Sequence, residues 1–195
     1  MSVRARTQRW PVAVLLAGFR LAAAPLAIPD LDGAPVDVIP RSPIHAAVLV
    51  FAGVDCPISN RYAPELQRLH ADYGARGVAF YLVYPDPAID AAIARRHAAD
   101  FGIPFPALVD REHRLVARAG VEVTPETAVL GPDGNVLYRG RIDDRWVDFG
   151  LDRPRATRHD LRNALDAILA GRPAPRAGGR AVGCYIAPLD LTDPP

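Results

Sequence analysis

Two apolar runs separated by a stretch of helical period set the frame of this chain. His45–Phe51 contains Ala-Ala-Val-Leu-Val-Phe, and Val78–Tyr84 reads Val-Ala-Phe-Tyr-Leu-Val-Tyr. Both have strand length and lack polar alternation, which predicts strands covered on both faces. Between them Tyr62, Leu66, Leu69 and Tyr73 recur at spacings of four, three and four. That period predicts one helix over 58–73, ended by Gly74 or Gly77. Two buried strands joined through a helix point to a parallel crossover.

The rest of the chain extends this unit. Asp90–Phe101 reads as a second helix with Gly102 as its cap, and Pro106–Val109 as a short strand. Glu112–Ala119 supplies one or two helical turns. Glu126–Leu130 and Val136–Ile142 flank Gly131-Pro-Asp-Gly-Asn135, a turn sequence between two extended runs, so a hairpin is predicted. Thr157–Leu169 reads as a closing helix, with Thr157 and Asp160 as a capping box and Leu161, Leu165 and Ile168 as its apolar stripe. Upstream, residues 26–33 form a loop with an Asp-Gly turn, and Val36–Ile39 a short extended piece. This order argues for an α/β fold with a mixed central sheet, parallel in its first half and antiparallel at one edge.

A chain of 195 residues, half of them hydrophobic, holds one domain with appendages. The formal net charge of +1 argues against nucleic acid as a partner. All 23 basic residues are Arg, which excludes Schiff-base chemistry on lysine. Residues 1–24 have the form of an export signal: Arg4, Arg6 and Arg9, an apolar stretch from Trp10 to Phe19, then Ala22-Ala-Ala24. The apolar stretch is too short to span a membrane, which needs about 20 residues. Arg20 interrupts the pattern, and the other reading is a basic tail on a cytoplasmic protein. The export reading gives an exported, periplasmic or otherwise extracytoplasmic protein with no membrane span once the signal is removed. Residues 25–171 then form the domain. Residues 172–195 follow it as a Pro/Gly-rich linker and a tail.

Chemistry concentrates at Asp55-Cys56-Pro57-Ile58-Ser59. Cys56 stands where a strand ends and a helix begins. A helix N-terminus favours the thiolate through partial positive charge and free N–H groups. Pro57 suits the first helical position. Arg61, one turn on, could add a positive charge, whereas a buried Asp55 would raise the thiol pKa. Cys56-Pro-Ile-Ser59 has the form of a C-x-x-C motif whose second cysteine is Ser59. The second of the two cysteines is Cys184.

In element order and in the Asp55-Cys56-Pro57 and Val123-Thr124-Pro125-Glu126 runs, the chain from Leu26 to about Leu169 resembles the thioredoxin-like superfamily. Within it, the chain resembles the redoxins of the alkyl hydroperoxide reductase/thiol-specific antioxidant group (AhpC/TSA) and their thiol-disulfide relatives. The resemblance implies a thioredoxin-like fold with Cys56 as nucleophile. It also implies a cis Pro125 preceded by Thr124, shaping a substrate groove that faces Cys56. Substrates would be a thiol or disulfide protein, a small thiol or a peroxide, with no cofactor. Two departures matter. Ser59 cannot release a mixed disulfide. The Pro and Thr that precede a peroxidatic cysteine are Leu49 and Gly53 here.

Three functions stay open: a thiol-disulfide oxidoreductase, a peroxide-reducing antioxidant, and a non-catalytic binding module for copper or a protein. Cys184 is a resolving thiol, a small apolar tail residue, or half of a permanent disulfide with Cys56. A copper site would need Cys56, Cys184 and a histidine, and His45, His70, His97, His113 and His159 show no ligand spacing. His70 and His97 read as polar helix faces. The dense charges from Arg139 to Arg145 read as a solvated loop, or else as the lining of a groove. Tyr62 and Trp146 are core or rim.

Overall fold

A computed structural model describes residues 25–175 and 179–189, so the expected signal over residues 1–24 lies outside the described residues. In chain order the elements are β1 (Ala27–Pro29), β2 (Pro35–Asp37), β3 (Ala46–Phe51), α1 (Pro57–Arg61), α2 (Ala63–Tyr73), β4 (Val78–Tyr84), α3 (Ala91–Asp100) and β5 (Ala107–Val109). There follow α4 (Arg114–Ala119), β6 (Val123–Thr124), β7 (Glu126–Leu130), β8 (Val136–Gly140), β9 (Trp146–Asp148), β10 (Leu151–Asp152), α5 (Asp160–Leu169) and β11 (Cys184–Tyr185).

Five strands form the central sheet in the order β5-β4-β3-β7-β8. β3 runs parallel to β4, and β4 to β5, while β7 is antiparallel to both β3 and β8. Every residue of β3 is buried, and its side chains alternate between two cores. Ala46, Val48 and Val50 join Leu66, Leu69 and Tyr73 of α2 and Leu161 and Leu165 of α5 on one face. Ala47, Leu49 and Phe51 join Leu115 and Ala119 of α4 and Ile28 of β1 on the other. Both faces of the sheet are covered, which is why the two apolar runs carry no polar alternation.

The expected single helix over 58–73 is two helices that break at Tyr62. Pro64 has no N–H for the carbonyl of Asn60 four residues back, and its ring crowds that carbonyl. The helical path ends in a 3₁₀ turn at Gly77, whose φ of 81° is left-handed. The Gly131–Asn135 turn forms as expected: the Gly131 N–H donates to the Asn135 carbonyl at 2.9 Å, and Gly134 adopts φ 74°.

The closing helix begins at Asp160, not Thr157, and the capping box is absent. Asp144 takes the Thr157 hydroxyl and N–H, both at 2.6 Å, and the Arg158 N–H at 2.9 Å. Those bonds leave no Thr157 cap and start the helix three residues later. The Arg139–Arg145 run is also not a solvated loop, because Asp143 and Asp144 are both buried. Burial disfavours the Asp144 carboxylate, but the Thr157 and Arg158 hydrogen bonds and the Arg153 charge outweigh it and hold its pKa well below the usual range. Asp143 accepts from the Tyr62 hydroxyl at 2.6 Å. Tyr62 and Trp146 are both buried.

Candidate active site

Cys56 is the N-cap of α1, with extended backbone (φ −83°, ψ 108°) and Pro57 following in the first turn. Its N–H donates to the Gly53 carbonyl at 3.2 Å, closing the turn that leaves β3. The thiol is 3% exposed. Its Sγ lies 3.1 Å from the Thr124 carbonyl and 2.9 Å from the Sγ of Cys184. The Thr124–Pro125 peptide is cis and both residues are buried. The two cysteines are free.

The tail brings Cys184 to this place as a strand. β11 pairs antiparallel with β6, with Cys184 opposite Thr124 and Tyr185 opposite Val123. One residue further, the Ile186 N–H donates to the Glu122 carbonyl at 2.9 Å. The Thr124 hydroxyl donates to the Cys184 carbonyl at 3.4 Å. A cavity of about 250 Å³ opens beside both sulfurs, walled by Val54, Asp55, Pro85, Pro87, Ile186 and Ala187.

Burial is the largest influence on the Cys56 thiol and pushes its pKa up. Hydrogen bonds from the Cys184 thiol, the Ser59 N–H and hydroxyl, and the Cys184 N–H act the other way and together hold it below the ordinary thiol value. For Cys184, burial and the neighbouring Cys56 sulfur act together and push the pKa up to about 11. The pair is therefore asymmetric: Cys56 is the thiol that ionises first, and Cys184 holds its proton to higher pH.

Ser59 is buried and directly supports the sulfur, although it cannot resolve a disulfide. Arg61 does not support it. Its guanidinium lies over the Trp146 ring, 5.5 Å from the centroid, because α1 ends at Arg61 and its side chain turns outward. Asp55 is exposed, so the expected penalty of a buried carboxylate does not arise. Gly53 stands against the Thr124 side chain: a Cβ there would sit 3.0 Å from the Thr124 Oγ1.

One part of the site went unrecognised in the sequence. The Asn60 amide donates to the Val54 carbonyl at 3.0 Å, and its Oδ1 meets the His97 Nε2 at 2.8 Å. The His97 Nδ1 meets the Tyr84 hydroxyl at 2.7 Å. Asn60 Oδ1 can only accept, so His97 carries its proton on Nε2. This chain ties the Cys56 turn to α3 and β4. His97 is thus no plain polar face, and neither is His70, which packs against Phe80 and Phe105. No signal marked the link, since its members are scattered over Asn60, Tyr84 and His97. Among the described residues no group of three His, Cys, Asp or Glu side chains is placed to hold a metal. No histidine therefore completes the copper set that Cys56 and Cys184 would begin.

The sequence profile described as the AhpC/TSA family matches residues 22–139, more than half of the chain. The chain belongs to the AhpC/TSA family. No curated protein matches it. Among solved structures, an uncharacterized conserved protein from Geobacillus kaustophilus is 29% identical at a TM-score of 0.71, covering 88% of this chain and 93% of its own. A hypothetical protein from Sinorhizobium meliloti is 25% identical at 0.66, covering 85% and 91%. A thiol-disulfide oxidoreductase from Bacteroides fragilis is 18% identical at 0.51, covering 61% and 89%, and shares the fold. The fold of this AhpC/TSA member is thus thioredoxin-like, with its mixed sheet flanked by helices. No helix among the described residues is long and apolar enough to cross a membrane.

Proposed function

We propose that this protein is an exported thiol-disulfide oxidoreductase in which Cys56 and Cys184 form the redox couple. The observation that carries the reading is the approach of the two sulfurs to 2.9 Å. Cys56, bearing the thiolate, attacks a substrate disulfide. A Cys56–substrate disulfide forms, the substrate S–S bond breaks, and the leaving thiolate takes a proton. Cys184 then attacks the Cys56 sulfur and expels the second substrate thiol. The substrate disulfide gains two electrons, and the protein is left with a Cys56–Cys184 disulfide for an external thiol to reduce.

The asymmetry of the pair supports this order. Part of the upward push on Cys184 comes from the Cys56 sulfur itself. Once Cys56 is tied up in a mixed disulfide it no longer carries a negative charge, and that part of the push vanishes. Cys184 thereby gains thiolate character at the step that needs it. Thr124, which precedes the cis peptide to Pro125, holds both cysteines through its carbonyl and hydroxyl. The export reading of residues 1–24 would put this chemistry where disulfides persist.

The test is turnover of a small disulfide with a thiol reductant. Cys56→Ser is expected to abolish it, and Cys184→Ser to slow it while the Cys56 mixed disulfide accumulates. Wild-type turnover by Cys184→Ser would remove the resolving role. Family membership also favours a peroxide as oxidant, with Cys56 oxidised to a sulfenic acid and Cys184 displacing water from it. Peroxide consumption that depends on both cysteines would mark that chemistry.

A further inference from the structure

The cavity beside the two sulfurs takes its charge from two turns. One leaves β3, and there Asp55 is exposed next to the nucleophile. The other is Pro85-Asp86-Pro87 between β4 and α3, where Asp86 is exposed. Asp86 is held by its own turn: its Oδ1 accepts the Ala88 N–H at 2.9 Å, and its carbonyl accepts the Ile89 N–H at 3.1 Å. The His113 Nε2 meets the Pro85 carbonyl at 2.7 Å and fixes the same turn. Among the described residues neither carboxylate forms an ion pair, so neither charge is taken up by a partner.

Nothing basic answers these two charges. Among the described residues no arginine or histidine lines the cavity. Arg111 donates to the carbonyl of one wall residue, Ile89, at 3.4 Å, yet is not itself part of the lining. Arg61 lies over the Trp146 ring. Most of the other walls are apolar, among them Val54, Pro85, Ile89 and Ile186. The volume of about 250 Å³ falls below the range of about 300–1,000 Å³ that drug-sized ligands occupy, and suits one short arm of a small disulfide. A negative charge on that arm meets two unpaired carboxylates, and a positive charge meets two partners.

We propose that Asp55 and Asp86 make this site selective for small disulfides that carry a positive charge close to the sulfur, the disulfides of aminothiols, and select against those that carry a carboxylate there. Cys56 does the chemistry, and the two carboxylates hold the arm of the substrate. The Cys56 thiolate forms a bond to one sulfur of the cationic disulfide, the S–S bond breaks, and one aminothiol leaves with a proton from solvent. Cys184 then expels the second aminothiol and leaves the Cys56–Cys184 disulfide. Each exposed carboxylate acts weakly, but the preference for a cation over an anion sums the attraction of one and the repulsion of the other over both groups. This inference rests on the oxidoreductase reading of Cys56.

The test uses the full chain carrying Cys184→Ser, so that only the first exchange step is read, as mass added to Cys56. Three small disulfides are compared: cystamine, which is cationic, 3,3′-dithiodipropionate, which is anionic, and hydroxyethyl disulfide, which is neutral and serves as reference. The cystamine-to-dithiodipropionate rate ratio is then measured again with Asp55→Asn and Asp86→Asn added. Asparagine keeps the acceptor that Asp86 offers to the Ala88 N–H. The ratio is expected to fall at least about fivefold in the double variant, with part of the fall in each single variant. Raising the salt from roughly 0.02 M to roughly 0.5 M is expected to shrink the ratio further in the protein with both carboxylates than in the double variant. A ratio that stays within about twofold in the double variant, or in both single variants should the double variant not fold, overturns the inference while hydroxyethyl disulfide still reacts. If hydroxyethyl disulfide leaves Cys56 unmodified, the oxidoreductase reading falls, and the inference with it.

Discussion

Replacing Ser59 with alanine isolates one support of the Cys56 thiolate. The substitution deletes a single buried hydroxyl that favours the Cys56 thiolate and accepts from the Gly53 N–H at 3.4 Å. A hydrogen bond to a charged group contributes about 1.5–3 kcal/mol. The thiol form also sits beside the hydroxyl, so about half of that acts on ionisation. At 1.36 kcal/mol per unit, the Cys56 pKa is expected to rise by roughly one unit. Thiolate absorbance near 240 nm, followed against pH on the reduced protein, reads this directly. The two thiols titrate separately there, since Cys184 is pushed up to about 11 while Cys56 lies below the ordinary thiol value. A Cys56 transition that stays put, or moves down, would refute the assignment of Ser59 as a thiolate donor.

Three further outcomes follow from the same contacts. Burial holds His97 below its usual value of 6.5, so the unfolded chain takes up the proton first as pH falls. The His97 contribution to stability is whole above about 6.5 and is lost as pH falls from there toward the folded value, so denaturant midpoints should drop from pH 7.5 to 5.5 and drop less in His97→Gln. Asp110 accepts the backbone N–H groups of Arg114, Leu115 and Val116, and Asp110→Ala should cost about 1–2 kcal/mol in urea unfolding by unpairing the start of α4. Leu161 is fully buried between α5 and the sheet, and Leu161→Ala should cost about 3–5 kcal/mol in the same assay; a loss under about 1 kcal/mol would contradict the packing described.

The sheet was legible because its signals are local. The apolar runs that became β3 and β4, and the Pro-Asp-Gly turn between β7 and β8, state their structure in six or seven consecutive residues. Cys56 was legible too, since a cysteine followed by proline at a strand-to-helix turn has few other placements. What could not be read depends on contacts between distant residues. Arg61 was expected near the thiol because it lies one helical turn on, but its guanidinium packs over the ring of Trp146, far away in sequence. The acidic pair Asp143 and Asp144 looked solvated because charge density usually marks solvent. Their burial rests on Tyr62 and on Thr157 and Arg158. Gly183 fell within the stretch read only as a Pro/Gly-rich linker and tail, whereas its missing Cβ is what lets the tail lie against Thr124.

The central claim is that Cys56 and Cys184 are partners in one reversible redox couple. Peptide mapping by mass spectrometry after equilibration in glutathione buffers of graded potential tests it most directly. The account predicts a single peptide pair joined through Cys56 and Cys184 in oxidising buffers, converting to two free thiols as the buffer becomes reducing. Glutathione on Cys56 with Cys184 still free, at every potential, would contradict it.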